Sequence, residues 1–166
     1  MELKIYPDRV LRRKCRPIER IDDEFVRHAH EMLDFMYQAD GLGLAAPQVG
    51  RTDQIVTLDV EQQHEGERVF INPRIAEREG DMEHEEGCLS LPGVQVNVPR
   101  SERVVVVAYT LEGERLEIEA EGLGACAWQH EVDHLNGILI IDRLSATAIT
   151  SVRRQLKRLE QEQEAE

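Results

Sequence analysis

No apolar run in this sequence approaches the ~18 residues that a membrane-spanning helix needs. The opening stretch, MELKIYPDRVLRRKCRP, is broken by charge from residue 2 onward. It offers neither the apolar core nor the small-residue cleavage site of a secretory signal, so a cytoplasmic protein is expected. Cysteine is scarce. Cys15, Cys88 and Cys126 are widely separated and odd in number, which is poor material for disulfides. Each is read first as a small buried apolar side chain. Positive charge is also in deficit. A net charge of −13 argues against general affinity for DNA or anionic membranes. Part of that charge lies in the last seven residues, EQEQEAE, read as a flexible acidic tail over about 160–166. No internal repeat or low-complexity linker divides the chain, and 166 residues suit one domain with one core.

What is present has clear periodicity. Phe25, Ala29, Met32, Leu33 and Met36 recur at helical spacing, which predicts a helix over 22–40. Asp22 or Asp23 can cap it, and the DG at 40–41 stops it. GLGLAAPQVG (41–50) is too rich in Gly and Pro to be regular. Strands are predicted at 54–60, 68–73, 94–98, 103–110 and 115–120, the last two joined by the hairpin signal LEGE. Leu116 and Ile118 alternate with charged residues, so that strand should bury one face. A helix follows from Gly122 through Asn136, with Gly137 as its stop. A last helix is predicted from Ala146 to about Glu160, with Ile149, Val152, Leu156 and Leu159 on one side. The order of elements shows no βαβ alternation. It predicts an α+β fold of mainly antiparallel sheets packed around a central helix, with an N-terminal and a C-terminal helix.

The central helix carries AWQHEVDHLNG (127–137) and, within it, the pattern H-E-x-x-H. Residues i and i+4 share a helix face, so His130 and His134 can aim imidazole nitrogens at one ion. Glu131 stands about 100° around the helix and can serve a metal-activated water as base. A catalytic site of this kind usually takes three protein ligands and keeps one position open. The extended peptidase pattern would put its third ligand at Ile140, which cannot bind metal. Asp142 is too close to return on a separate helix. The ligand is therefore sought upstream, in EEGCLSLPG (85–93), where a thiolate at Cys88 suits borderline and soft divalent metals. Cys126 is a weaker candidate, because Cys126, His130 and His134 would span about 12 Å of helix rise. Cys15 lies in a basic stretch with no turn to present it.

Three segments together resemble one family, the peptide deformylases. GLGLAAPQVG (41–50) resembles its motif G-x-G-L-A-A-x-Q, EGCLSLP (86–92) its motif E-G-C-L-S-x-P, and QHEVDHLNG (129–137) its motif Q-H-E-x-D-H-L-x-G. The similarity runs over roughly residues 3 to 145, with the YPDRVLR start and the FINP strand also in agreement. The resemblance implies an enzyme that removes the formyl group from the N-terminal formyl-methionine of newly made polypeptides in a bacterial cytoplasm. It implies one divalent metal ion on Cys88, His130 and His134: Fe2+ in the cell, with Zn2+ or Ni2+ found in purified protein. It implies that hydroxide supplied at the metal attacks the formyl carbon, that Glu131 is the general base and acid, and that the Gln48 side chain and the Leu89 N–H stabilise the oxyanion.

For the substrate, the resemblance implies that Gly43 and its neighbours pair with the peptide like an added strand. Leu42, Leu44, Glu86, Leu123, Cys126 and Ala127 are the implied contacts, most of them around the methionine side chain. Two departures bear on peptide grip. Pro47 fills a variable place in the first motif, and Gln95 stands where some relatives carry an arginine. Arg100 could substitute for that arginine, but it is expected to be a solvated charge at a strand end. Arg153, Arg154, Lys157 and Arg158 form a basic face on the last helix, which some relatives use to dock on the ribosome. Two other functions are weighed: an H-E-x-x-H peptidase cutting internal bonds, and a catalytically silent metal-binding, ribosome-associated module. Ile140 speaks against the first, and the presence of Glu131 and Gln48 against the second.

Overall fold

The computed structural model describes residues 1–165. Helix α1 (Asp23–Gln38) starts at Asp22, whose carboxylate accepts the Phe25 N–H at 2.9 Å. That bond satisfies one of the donors every helix start leaves free. Asp23 and Glu24 occupy the first turn, where the helix dipole favours negative charge. The predicted stripe from Phe25 to Met36 is buried, and Asp40 takes a positive φ of 54° at the expected stop.

Seven strands follow: β1 (Gly43–Ala45), β2 (Ile55–Leu58), β3 (Val69–Glu79), β4 (Met82–Glu86), β5 (Val96–Arg100), β6 (Arg103–Tyr109) and β7 (Arg115–Glu121). Five form an antiparallel sheet in the order β1-β2-β3-β6-β7, and β4 and β5 form a separate antiparallel ribbon. Helix α2 (Gly122–Leu135) and helix α3 (Ala146–Glu164) complete the order. The sheet lies between α1 and α2. In β2, Ile55 joins the apolar cluster under α1, while Val56 and Leu58 join the cluster with Trp128 and Leu135 of α2. Coverage on both faces explains why all four β2 residues are buried and read as one apolar run. Leu116 and Ile118 of β7 pack half-buried against the α2 cluster. A third cluster joins β5 to α3 through Val96, Val98, Val152, Leu156 and Leu159.

Beyond its exposed first turn, helix α2 is largely buried. Besides Ala125, Cys126, Trp128, Val132 and Leu135 it buries Gln129, Glu131, Asp133 and His134. It ends at the predicted glycine: Gly137 has φ +72°, and a Cβ there would stand 2.4 Å from the Arg12 carbonyl oxygen. Only glycine allows both that conformation and that approach.

Four elements differ from the sequence reading. GLGLAAPQVG is not wholly irregular, since it holds β1 and a single 3-10 turn over Ala46–Val49. Strand β4 was not predicted, because MEHEE is too polar to read as a strand. Strand β3 continues past Pro73 to Glu79, with register shifts between Ile71 and Arg74 and between Ile75 and Glu77. Such bulges let a strand pass a residue that has no N–H to give. Helix α3 runs to Glu164, through the segment read as a flexible tail. Glu and Gln are good helix formers, Arg158 and Glu162 pair at 3.4 Å one turn apart, and Tyr6 Oη donates to Glu160 at 2.9 Å. Among the described residues, no helix is long and apolar enough to cross a membrane.

Candidate functional site

Helix α2 sets His130 and His134 one above the other, with ring centroids 4.9 Å apart and their Nε2 atoms at 3.2 Å. Cys88 arrives from the turn after β4, and its Sγ stands 3.3 Å from His134 Nε2. The Leu91 N–H donates to the Cys88 carbonyl at 2.9 Å and closes that turn. One ligand atom from each of the three residues lies within 4.8 Å of the other two. Burial holds the His134 imidazole well below its ordinary range, so it is neutral, the form that binds metal. One sulfur and two imidazole nitrogens suit a borderline divalent ion. The set therefore fits the metal the motifs imply.

The histidine nearer the cleft is held from behind. His130 Nδ1 faces Glu86 Oε2 at 3.0 Å, which leaves Nε2 for an ion. Arg100 clamps the same carboxylate with two bonds, Nε to Oε1 at 2.7 Å and Nη2 to Oε2 at 2.8 Å. Its remaining Nη1 donates to Asp133 Oδ2 at 2.7 Å. Arg143 grips Asp133 from the other side, with Nε to Oδ2 and Nη2 to Oδ1 both at 2.6 Å. Burial raises the pKa of the Glu86 carboxyl, but hydrogen bonds from Arg100 and His130 outweigh it and bring the group to about 2. The expectation for Arg100 is thus corrected: its side chain is only 2% exposed. The signal was present in the strand's parity. Val96, Val98 and Arg100 alternate inward along β5, so whatever stands at 100 is buried. Asp133 and Arg143 were missed, because nothing in a helix pattern marks which polar residues have partners.

Glu131 is 4% exposed, and its Oε2 is buried with no hydrogen-bond partner among the described residues. Burial pushes its carboxyl up to about 7. Glu131 lines the same cleft as Cys88 and His130, and an orphaned carboxylate oxygen there is the kind of group that could handle a proton. Gly43 makes room for it. A Cβ at that position would meet Glu131 Oε1 at 2.5 Å and Leu58 Cδ1 at 2.9 Å. Gly43→Ala is expected to displace the carboxylate and cost about 1–3 kcal/mol of stability, as overpacking does elsewhere. Denaturant unfolding checks it, and an unchanged midpoint would show that the carboxylate moves freely.

Gln48 is 2% exposed. The Ala45 N–H donates to its Oε1 at 2.9 Å, which turns Nε2 toward Ser90 Oγ at 3.3 Å and Cys88 Sγ at 3.6 Å. Its amide donor therefore points at the ligand group. Beside it opens a cleft of about 400 Å³ with more apolar than polar wall. Leu42, Gly43, Gln48, Glu86, Cys88, Leu89, Leu123, Cys126, Ala127, His130 and Glu131 all line it, with Gln95 and Asp40 also at the wall. Leu123 is 45% exposed at its mouth. His134 lies behind the lining, 1% exposed. Leu44 does not reach the cleft as a side chain. It is fully buried in the α1 cluster, because alternation along β1 points it away from Glu131, so only its main chain is left to meet a ligand. Strand β1 is the outermost strand of its sheet, paired on one side with β2.

Comparison with known proteins gives a consistent picture. The family model described as Polypeptide deformylase matches residues 1–149. A peptide deformylase of Thermodesulfovibrio yellowstonii is 43% identical over 159 residues, covering 95% of this chain and 96% of that protein. One from Alkalilimnicola ehrlichii is 44% identical over 162 residues, covering 96% of this chain and 90% of that protein. Among solved structures, Arabidopsis thaliana peptide deformylase 1B in complex with an inhibitor superposes with a TM-score of 0.94 at 38% identity, over 99% of this chain and 93% of that one. A peptide deformylase from Legionella pneumophila gives 0.91 at 38% identity, over 99% and 98%.

Proposed function

The chain belongs to the polypeptide deformylase family, and from that premise we propose that it removes the N-formyl group from the formyl-methionine end of newly made polypeptides, releasing formate. The observation that carries the reading is the convergence of Cys88 Sγ and the two histidine Nε2 atoms beside the unpartnered Glu131 Oε2. Cys88, His130 and His134 would hold the metal, which we assign as Fe2+ in the cell, with Zn2+ or Ni2+ in purified protein. When bound, such an ion acidifies a water and offers positive charge to a carbonyl oxygen.

The chain's own residues do the rest. Glu131 takes the proton of the attacking water and returns it to the leaving amine. The Gln48 Nε2 and the Leu89 N–H donate to the oxygen that gains charge, from positions fixed before substrate arrives. Glu86, clamped by Arg100, keeps the His130 tautomer with its free nitrogen toward the ion. The outer edge of β1 offers main-chain groups to an extended peptide, a mode that tolerates varied sequence. Leu42, Leu123, Cys126 and Ala127 form the slot for methionine, and Glu86 closes its polar end. Formyl is the smallest acyl group, so a close fit over the ligands excludes acetyl. Residues 1–166 act as one catalytic domain, placed in a bacterial cytoplasm.

Formate release from formyl-Met-Ala-Ser by anaerobically purified protein tests the reading. Release is expected with iron or nickel and none after chelation. Metal retained without release would overturn it. Cys88→Ser should bind the ion at least about tenfold more weakly, since even outer partners of a site are worth that much. Metal content after dialysis against a chelator reports it.

The basic face of α3 extends the proposal to the ribosome. Arg153, Arg154, Lys157 and Arg158 are all exposed, while Val152, Leu156 and Leu159 of the same helix are core. Deleting the helix would expose that core, so reversing the four charges to Glu is the cleaner test. Ribosome co-sedimentation should fall with the reversal, and unchanged co-sedimentation would make the face a merely solvated one.

A further inference from the structure

Strand β4 presents three unlike side chains on one face. Met82, His84 and Glu86 alternate inward, while Glu83 and Glu85 point to solvent. Across from them on α2 lies Cys126, 2% exposed. Its thiol stands 3.9 Å from Met82 Sδ, and one ligand atom each of His84, Glu86 and Cys126 falls within 4.8 Å of the others. His84 Nδ1 is buried with no hydrogen-bond partner among the described residues. Glu86 is not free to join, since both its oxygens already accept from Arg100 and one also faces His130. What remains is the Cys126 thiol with the Met82 thioether and a His84 imidazole nitrogen each within reach of it, and a carboxylate close by.

We propose that Met82, His84 and Cys126 form a second metal site, for a soft closed-shell ion of the copper(I) kind. Thiolate and thioether ligands select soft ions, and imidazole accepts them. Binding replaces the thiol proton: the Cys126 S–H bond breaks, the proton leaves to water, and the sulfur lone pair goes to the ion. The neighbouring Glu86 carboxylate offsets the positive charge without giving up Arg100. Met82 also lines a surface hollow with Glu79, Glu102 and Glu121, whose carboxylates draw cations. Arg103 in the same hollow is already paired with Glu79 and Glu119, at 3.0 Å each. The site shares no ligand with Cys88, His130 and His134. Cys126 lines the cleft as well, so an ion there stands at the wall of the methionine slot.

The test uses the full-length nickel-loaded protein under anaerobic conditions, with copper(I) supplied from a bicinchoninate buffer. Nickel counted before copper is added reports on the Cys88 group separately. One copper per chain with nickel retained is the expected result. His84→Leu and Cys126→Ala should each weaken copper binding about tenfold or more. Met82→Leu, which keeps volume and removes only the sulfur, should weaken it in the same direction and guards against a poorly folded Cys126 variant. No copper uptake, uptake matched by nickel loss, or variants that titrate like the parent would each overturn the proposal.

Discussion

Glu131→Gln should lower kcat for formate release by about 10²- to 10⁴-fold, the usual worth of a positioned general acid–base group. Metal content should stay at the parent level. The substitution keeps the side chain's shape, so the space made by Gly43 is still filled. What is lost is the capacity to hold a proton. Glu131 Oε2 has no hydrogen-bond partner to lose among the described residues, so the change touches little besides the chemistry. A glutamine NH₂ aimed at a cation would even repel it slightly, which makes metal content a needed control. Single-turnover formate release by metal-replete protein separates the two effects. A Gln variant with the parent's kcat would remove Glu131 from the mechanism.

Arg100→Leu should destabilise the protein by about 3–5 kcal/mol, because removing one partner of a buried ion pair strands the other. Here one guanidinium serves two buried carboxylates, Glu86 and Asp133. Asp133 keeps Arg143, but among the described residues Glu86 keeps only the His130 imidazole. Metal affinity should fall too, by about 10- to 100-fold, since the group that orients His130 is no longer fixed. Denaturant unfolding with and without added metal measures both. The double variant Arg100→Leu with Glu86→Gln is the internal control, because it removes the stranded charge and should recover part of the stability. If Arg100→Leu unfolds at the parent's midpoint, the network contributes nothing to the fold.

The candidate metal-ligand group could be picked out because its logic is local. His130 and His134 sit one helical turn apart, Glu131 between them, and Ile140 closed the commonest alternative for the third position. Cys88 stood out by its Gly- and Pro-flanked setting. The helices and the apolar strands were legible for a similar reason, since their periods are written in neighbouring residues. Strand β4 was not, because its inward residues are Met82, His84 and Glu86 and its outward ones are Glu83 and Glu85. Alternation there separates one polar type from another, which no hydropathy pattern detects. Arg100 was misread for a related reason. Charge is a good guide to exposure only when no partner is near, and its partners lie 14 and 33 residues away. Leu44 differs again. It belongs to the right motif, yet strand parity turns its side chain into the core.

The ligand group draws on parts of the chain that pack separately. Cys88 packs against the β5–α3 cluster, and the two histidines ride on the helix of the Trp128 cluster. An ion held as proposed by the cysteine and histidines would therefore act as a rivet between separately packed parts of the fold. Local opening of either would release it. Metal loading and the docking of these parts would then be one linked equilibrium, in which the bound ion stabilises the native arrangement by mass action. A chelator would thus act as a mild denaturant of the whole molecule as well as an inhibitor.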